Sequence, residues 1–198
     1  MDSDTSSTLP VSNPLPASST NQFSGTTTGF QRIVLVSNMY PDATDPGKGT
    51  FIKTIHDSLE GSFPQVERIV LANTNGKLAK VKAYLRFYAE VFHCLMQEAK
   101  STSGTDGNAG GSLFYVHYVS LSAPPFLLAG LLGRRPKVVA HAHGSDVALE
   151  GNPGWLSRTL KFRAARSLMK HSLRVIAPSS YFRRFIADLF ALPESHIS

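Results

Sequence analysis

The chain has 198 residues, 42% of them hydrophobic, enough for one ordinary core and short for two. Lysine and arginine number 20 against 14 acidic residues, a formal net charge of +6 that favours anionic partners such as phosphates, nucleic acid or lipid headgroups without choosing among them. The single cysteine, Cys94, excludes an intrachain disulfide framework; it sits in a helix-like stretch where a buried, inert thiol is expected, which suits a reducing cytosol.

Residues 1–29 are rich in Ser, Thr, Pro, Asn and Gly, carry Asp2 and Asp4 early and have no apolar run. They read as a disordered tail rather than a signal peptide or membrane anchor, and the ordered domain is expected over 30–198. Residues 33–36 (Ile-Val-Leu-Val) read as a strand, with Phe51, Ile52, Ile55 and Leu59 recurring at helical spacing behind it. A second strand is predicted over 66–72, a long helix over 77–100, a Gly- and Ser-rich flexible loop over 101–112 and a third strand over 113–119. A short helix over 125–132, a strand over 137–141, a helix over 155–170 and a fifth strand over 173–177 follow. Tyr181, Phe182, Phe185, Ile186, Leu189 and Phe190 form a closing amphipathic helix. The longest apolar stretch, 123–133, is too short to span a bilayer. Continuous β-branched runs suit strands buried on both faces, and strands that alternate with helices imply a parallel sheet. The expected fold is therefore α/β, a Rossmann-like doubly wound sheet of at least five strands.

In such sheets ligands bind outside the carboxyl ends of the strands, so the loops there are the first places to look. The loop after the first strand carries Gly47 and Gly49 just before Thr50 and a helix. Glycine permits close backbone approach, and the N–H groups of a helix start attract phosphate or carboxylate, although a turn and helix cap explain the same residues. The spacing matches neither the dinucleotide fingerprint nor the P-loop. After the fourth strand stands His141-Ala-His-Gly-Ser-Asp146, where an imidazole could exchange a proton near neutral pH or hydrogen-bond a sugar hydroxyl. His141 is read as a hydrogen-bonded core residue and His143 as a functional one. Ser179, after the fifth strand, is a reasonable N-cap. His117 and Tyr118 end the third strand, where they line the cleft or pack as a pair.

Taken together, Asn38-Met-Tyr-Pro41, Gly49-Thr-Phe-Ile-Lys53, His143-Gly-Ser-Asp146 and Val175-Ile-Ala-Pro-Ser179 with Arg183 and Arg184 resemble the N-terminal domain of group-1 (GT4-like) retaining glycosyltransferases, one half of a GT-B fold. The resemblance runs from about residue 32 to 198, and His-Gly-Ser-Asp is its most specific part. It implies transfer from a nucleotide-sugar donor to a sugar or lipid-linked acceptor with retention of configuration, without metal or other cofactor. His143 would approach the transferred sugar as the catalytic residue. Gly47, Gly49 and Thr50 would lie near the donor diphosphate and acceptor, with His117, Asp146 and Ser179 as further substrate-binding positions.

The donor-side machinery of that family, a basic pair and paired glutamates, does not occur in these residues. The chain is accordingly expected to show little transfer by itself and to work with a second domain or a separate C-terminal chain. A non-catalytic ligand-binding module of the same fold is the alternative. A metal hydrolase built on His141 and His143 is disfavoured, because the sequence shows no further cluster of ligands around them. The basic helices, with Lys77, Lys80, Lys82 and Arg86 in one and Arg158 to Lys170 in another, carry no nucleic-acid module motif and read as solvated faces. A cytoplasmic location is expected. Peripheral membrane contact is left open by Phe126 to Leu132 preceding Arg134, Arg135 and Lys137.

Overall fold

A computed structural model describes residues 30–101, 111–144 and 155–198, with the side chains of 99–101 and 155–157 excepted. The expected tail over 1–29, most of the Gly-rich loop and Asp146 lie outside the described residues.

The elements follow the chain as β1 (Arg32–Ser37), α1 (Thr50–Glu60), β2 (Gln65–Val70), α2 (Lys77–Ser101), β3 (Ser112–His117), α3 (Val119–Ser122), α4 (Pro124–Leu131), β4 (Lys137–His141), α5 (Trp155–His171), β5 (Arg174–Ile176) and α6 (Ser180–Phe190), closed by a 3-10 turn at Glu194–His196. All strand pairs are parallel, in the order β2-β1-β3-β4-β5. The expected Rossmann-like α/β sheet is what forms. Its strand order reverses between β1 and β3, which opens a crevice at their carboxyl ends.

Expectation and structure differ at the element ends. The third strand stops at His117, because Tyr118 adopts a left-handed backbone (φ 53°) and caps α3, a single turn that takes up Val119. The second strand begins one residue earlier than expected and ends at Val70. It lies at the sheet edge and is largely exposed; of the runs expected to be buried on both faces, that of β1 is, whereas in β4 Val138 is buried and Val139 only half-buried. The far edge, β5, is covered by the last residues: Ile197 bridges to Val175, and Ser198 N–H donates to the Val175 carbonyl at 2.9 Å.

The main core lies on one face of the sheet. There Val34, Val36, Phe114, Val116, Val138 and Ala140 pack against apolar residues of α2, α4 and α5. Cys94 of α2 is buried here, and burial pushes its thiol pKa up, so it is the inert thiol expected. A smaller cluster of Leu35, Tyr40 and Ile52 anchors α1 on the other face. At the amino ends of the strands Arg32 binds Glu67 through Nε at 2.9 Å, while Glu98 accepts from the Ser112 N–H at 2.5 Å and from its hydroxyl at 2.6 Å. That edge is tied together by charge-assisted hydrogen bonds, which are stronger than neutral ones.

Gly49 is the N-cap of α1, with φ 70°. A Cβ there would meet the backbone of Met39 and Tyr40 at 3.1–3.2 Å, so the close approach that glycine permits is to the chain's own β1 loop. Gly47 has room for a methyl, its nearest contact being the Asp45 side chain at 3.9 Å. Gly49→Ala is expected to destabilise the domain by about 1–3 kcal/mol and Gly47→Ala by under about 0.5 kcal/mol, as measured by urea denaturation.

Candidate functional site

The β3–β4 register pairs His117 with His141, and the two-residue alternation of strands puts Tyr115, His117, His141 and His143 on the same face. The rings form a ladder: His117 and His143 stack at 5.1 Å and 16°, His141 and His143 at 4.3 Å and 24°. Nδ1 of His117 lies 2.9 Å from Nε2 of His143, and the Tyr115 hydroxyl 3.0 Å from Nδ1 of His141. The hydrogen bond expected for His141 is present, but the residue is half-buried at the strand end rather than enclosed in the core.

Nε2 of His117 is buried and has no hydrogen-bond partner among the described residues. An unpaired buried N–H costs more than a bare lone pair, so the assignment that satisfies the pair has His117 Nδ1–H donating to His143 Nε2. His143 then carries its own proton on Nδ1.

Burial pushes all three imidazoles far below the ordinary histidine range: His117 to about 2, with His141 and His143 beside it adding to the effect, His143 to about 3 and His141 to about 4. At neutral pH they are uncharged. Of the two roles left open for His143, proton exchange near neutral pH and a hydrogen bond to a sugar hydroxyl, a neutral ring suits the second.

The convergence of His117 on the other two is what the sequence did not show. The possible ligand atoms of the three lie within 4.8 Å of one another, and a second such group is His56, Asp57 and Glu60. A shared ion must lie near the plane of every ring that binds it, whereas the ladder stacks its rings nearly parallel and spends one nitrogen pair on a mutual hydrogen bond. As folded, the ladder is a hydrogen-bonded stack.

Two aromatic residues complete the site. Phe51, in the first turn of α1 and 41% exposed, packs its ring 4.8 Å from His143, and Tyr118 stands 4.7 Å from it on the β3 side. Phe51 thus reaches across the crevice where the strand order reverses, although its spacing had marked it only as one of a helical series. The left-handed backbone of Tyr118, of a kind that costs about 1–3 kcal/mol for a residue other than glycine, turns the chain at this point.

Thr50 begins α1 behind Gly49, so Gly49, Thr50, Phe51, His117 and His143 meet at one edge of the sheet. Ser179 does what its place suggested and caps α6, accepting the Phe182 N–H at 3.2 Å. Beside the Gly49 loop is a polar cavity of about 340 Å³ lined by Lys48, Asn73, Thr74 and Lys80. Its wall is held by Asp42, which accepts from Thr44, Asp45 and Asn73; those hydrogen bonds, led by the one from the Thr44 side chain, hold its carboxyl down at about 2. Asn73 also binds Lys48. A larger, more apolar groove of about 500 Å³ between α4 and α5 opens at the start of β4, away from the ladder of His117, His141 and His143.

Groups whose folded pKa is depressed contribute stability that is complete above their unfolded value, near 6.5, and is lost as pH falls toward the folded values of about 4 to 2. Urea unfolding at successive pH values is expected to show stability falling below pH ~6.5, by on the order of 1 kcal/mol per pH unit for each imidazole. His141→Gln is expected to flatten that slope.

Residues 113–198 match the model of a family described as Glycosyltransferase Family 4. The matched span runs from β3 through the 3-10 turn and includes His117, His143 and Ser179. No curated protein matches the chain.

Proposed function

We propose that this chain, which matches the glycosyltransferase family 4 model over residues 113–198, is the acceptor-side half of a nucleotide-sugar-dependent transferase whose chemistry takes place at the crevice between β1 and β3. The observation that carries the reading is the meeting of His143, Phe51 and Tyr118 at that crevice, inside and beside the matched span.

His143 is uncharged and half-buried on the sheet, so its role is to hydrogen-bond a hydroxyl of the transferred sugar and fix its position. Charge stabilisation of a departing diphosphate is not a task for a neutral ring. That falls to the N–H groups at the start of α1, around Gly49 and Thr50, and to cations of a second domain or chain forming the opposite wall. His117 orients His143 through their hydrogen bond. Asp146 steadies the same loop or meets the acceptor, and Ser179 supports the site by fixing the start of α6. Retention of configuration and independence from metal accompany the family reading. The polar cavity beside the Gly49 loop, with Lys48 and Lys80, suits an acceptor carrying anionic or hydroxyl groups. These residues form one wall of the crevice, and transition-state stabilisation needs both, so a transfer assay has to supply a donor-binding domain.

Release of nucleoside diphosphate from a panel of nucleotide sugars tests this. The chain alone is expected to stay at background and to become active with a family 4 donor-binding domain supplied in cis or in trans. His143→Ala is expected to lower that activity by on the order of 100-fold or more with an unchanged circular dichroism spectrum, and His143→Gln by less, since an amide still hydrogen-bonds. Undiminished turnover in His143→Ala would remove the histidine from the reaction.

A further inference from the structure

The first three turns of α2 leave an apolar stripe without cover. Leu78, Val81 and Leu85 are 81%, 56% and 63% exposed, and their spacing of three and four residues puts them on one side of the helix. The core contacts of α2 come from a different side, through Phe87, Val91, Cys94 and Leu95. α2 therefore has two apolar faces, whereas a helix lying on a sheet needs one.

The charge around the stripe is of a single sign. Lys77, Lys80, Lys82 and Arg86 fall in the same turns, and no acidic residue occurs from 71 through 89. All four of these basic residues are exposed. At helical spacing Lys77 and Lys82 flank the stripe on opposite sides, while Lys80 points away from it and lines the polar cavity beside the Gly49 loop.

We infer that the first three turns of α2 dock onto an anionic lipid bilayer, with Leu78, Val81 and Leu85 entering the headgroup boundary and Lys77, Lys82 and Arg86 meeting lipid phosphates. The chemistry is that of an interfacial amphipathic helix, in which apolar area and attraction to anionic headgroups act together. Among the described residues no helix is long and apolar enough to cross a membrane, so the contact is one of surface attachment. Charge complementarity singles out the bilayer: a second copy of the chain would bring the same four cations against their like.

Position gives the contact its meaning. α2 starts at the carboxyl edge of the sheet, beside the candidate site, and runs back to the amino edge, where Cys94 and Glu98 meet Arg32. A bilayer against the first turns therefore lies next to the Lys48–Lys80 cavity and the crevice. This deepens the transferase reading by making the acceptor a membrane-borne molecule; the attachment itself does not depend on transfer.

Flotation of the full chain with phosphatidylcholine vesicles, with and without phosphatidylglycerol, tests the inference without any activity assay. The chain is expected to float with the anionic vesicles only and to be released in about 1 M salt, where charge is screened beyond about 3 Å. Leu78→Asp/Leu85→Asp is expected to lower the bound fraction at least about tenfold, and Lys77→Glu/Lys82→Glu on the order of tenfold, with unchanged melting since all four positions are exposed. Three results would overturn the proposal: no flotation of the wild type; flotation undiminished in Leu78→Asp/Leu85→Asp but lost in Leu131→Asp/Leu132→Asp, which would put the contact on α4; or light scattering showing a dimer that Leu78→Asp/Leu85→Asp dissociates. A chain that binds vesicles and yet fails every transfer assay would leave the attachment standing and remove the transferase reading.

Discussion

The parallel register of β3 and β4 is the constraint from which the site follows. It sets His117 opposite His141, and the pleat adds Tyr115 and His143 to the same face. Stacked on a buried sheet face, the imidazoles lose water, and desolvation fixes them in the neutral form. A one-residue slip of β4 toward β3's next position would turn His141 and His143 to the other face and put Ala140 and Ala142 in their place. Strand pairing thus decides the protonation state of the site, and through it the kind of chemistry open to it: directed hydrogen bonding rather than charge.

The two edges of the sheet are built differently. At the amino edge Arg32, Glu67, Glu98 and Ser112 join β1, β2, α2 and β3 by ionic hydrogen bonds. At the carboxyl edge the ties are loops and rings. Gly49 lets α1 close against the Met39–Tyr40 backbone, which brings Phe51 over the crevice to His143. Tyr118 meets both rings from the β3 side, its own chain bent into a left-handed turn. A rigid scaffold with a less regular rim is the usual arrangement of an α/β binding site.

Much of this was legible in the sequence, for definite reasons. β-branched runs marked β1 and β4 because strands buried in a parallel sheet need no alternation, and Phe182, Ile186 and Phe190 marked α6 by their period. Ser179 was readable as a cap because the chemistry of an N-cap is local. What escaped was non-local or conformational. His117 and His141 are 24 positions apart, and only the register brings them together. Val119 looked like a strand residue because nothing in its apolar side chain announces the turn at Tyr118. Phe51 was legible only as one of a helical series, and period gives the helix phase but not which of two apolar sides the sheet covers; Phe51 lies against His143, and Leu78 and Leu85 of α2 are open surface.

The central claim is that three uncharged, mutually stacked imidazoles line the carboxyl edge of the sheet. Long-range proton–nitrogen NMR spectra of the histidine side chains at pH ~5.5 test it directly, since an ordinary histidine is mostly protonated there. The account requires His117, His141 and His143 to give the paired nitrogen shifts of neutral rings, with the His117 proton on Nδ1. Imidazolium signals from any of the three, titrating near 6.5, would contradict it.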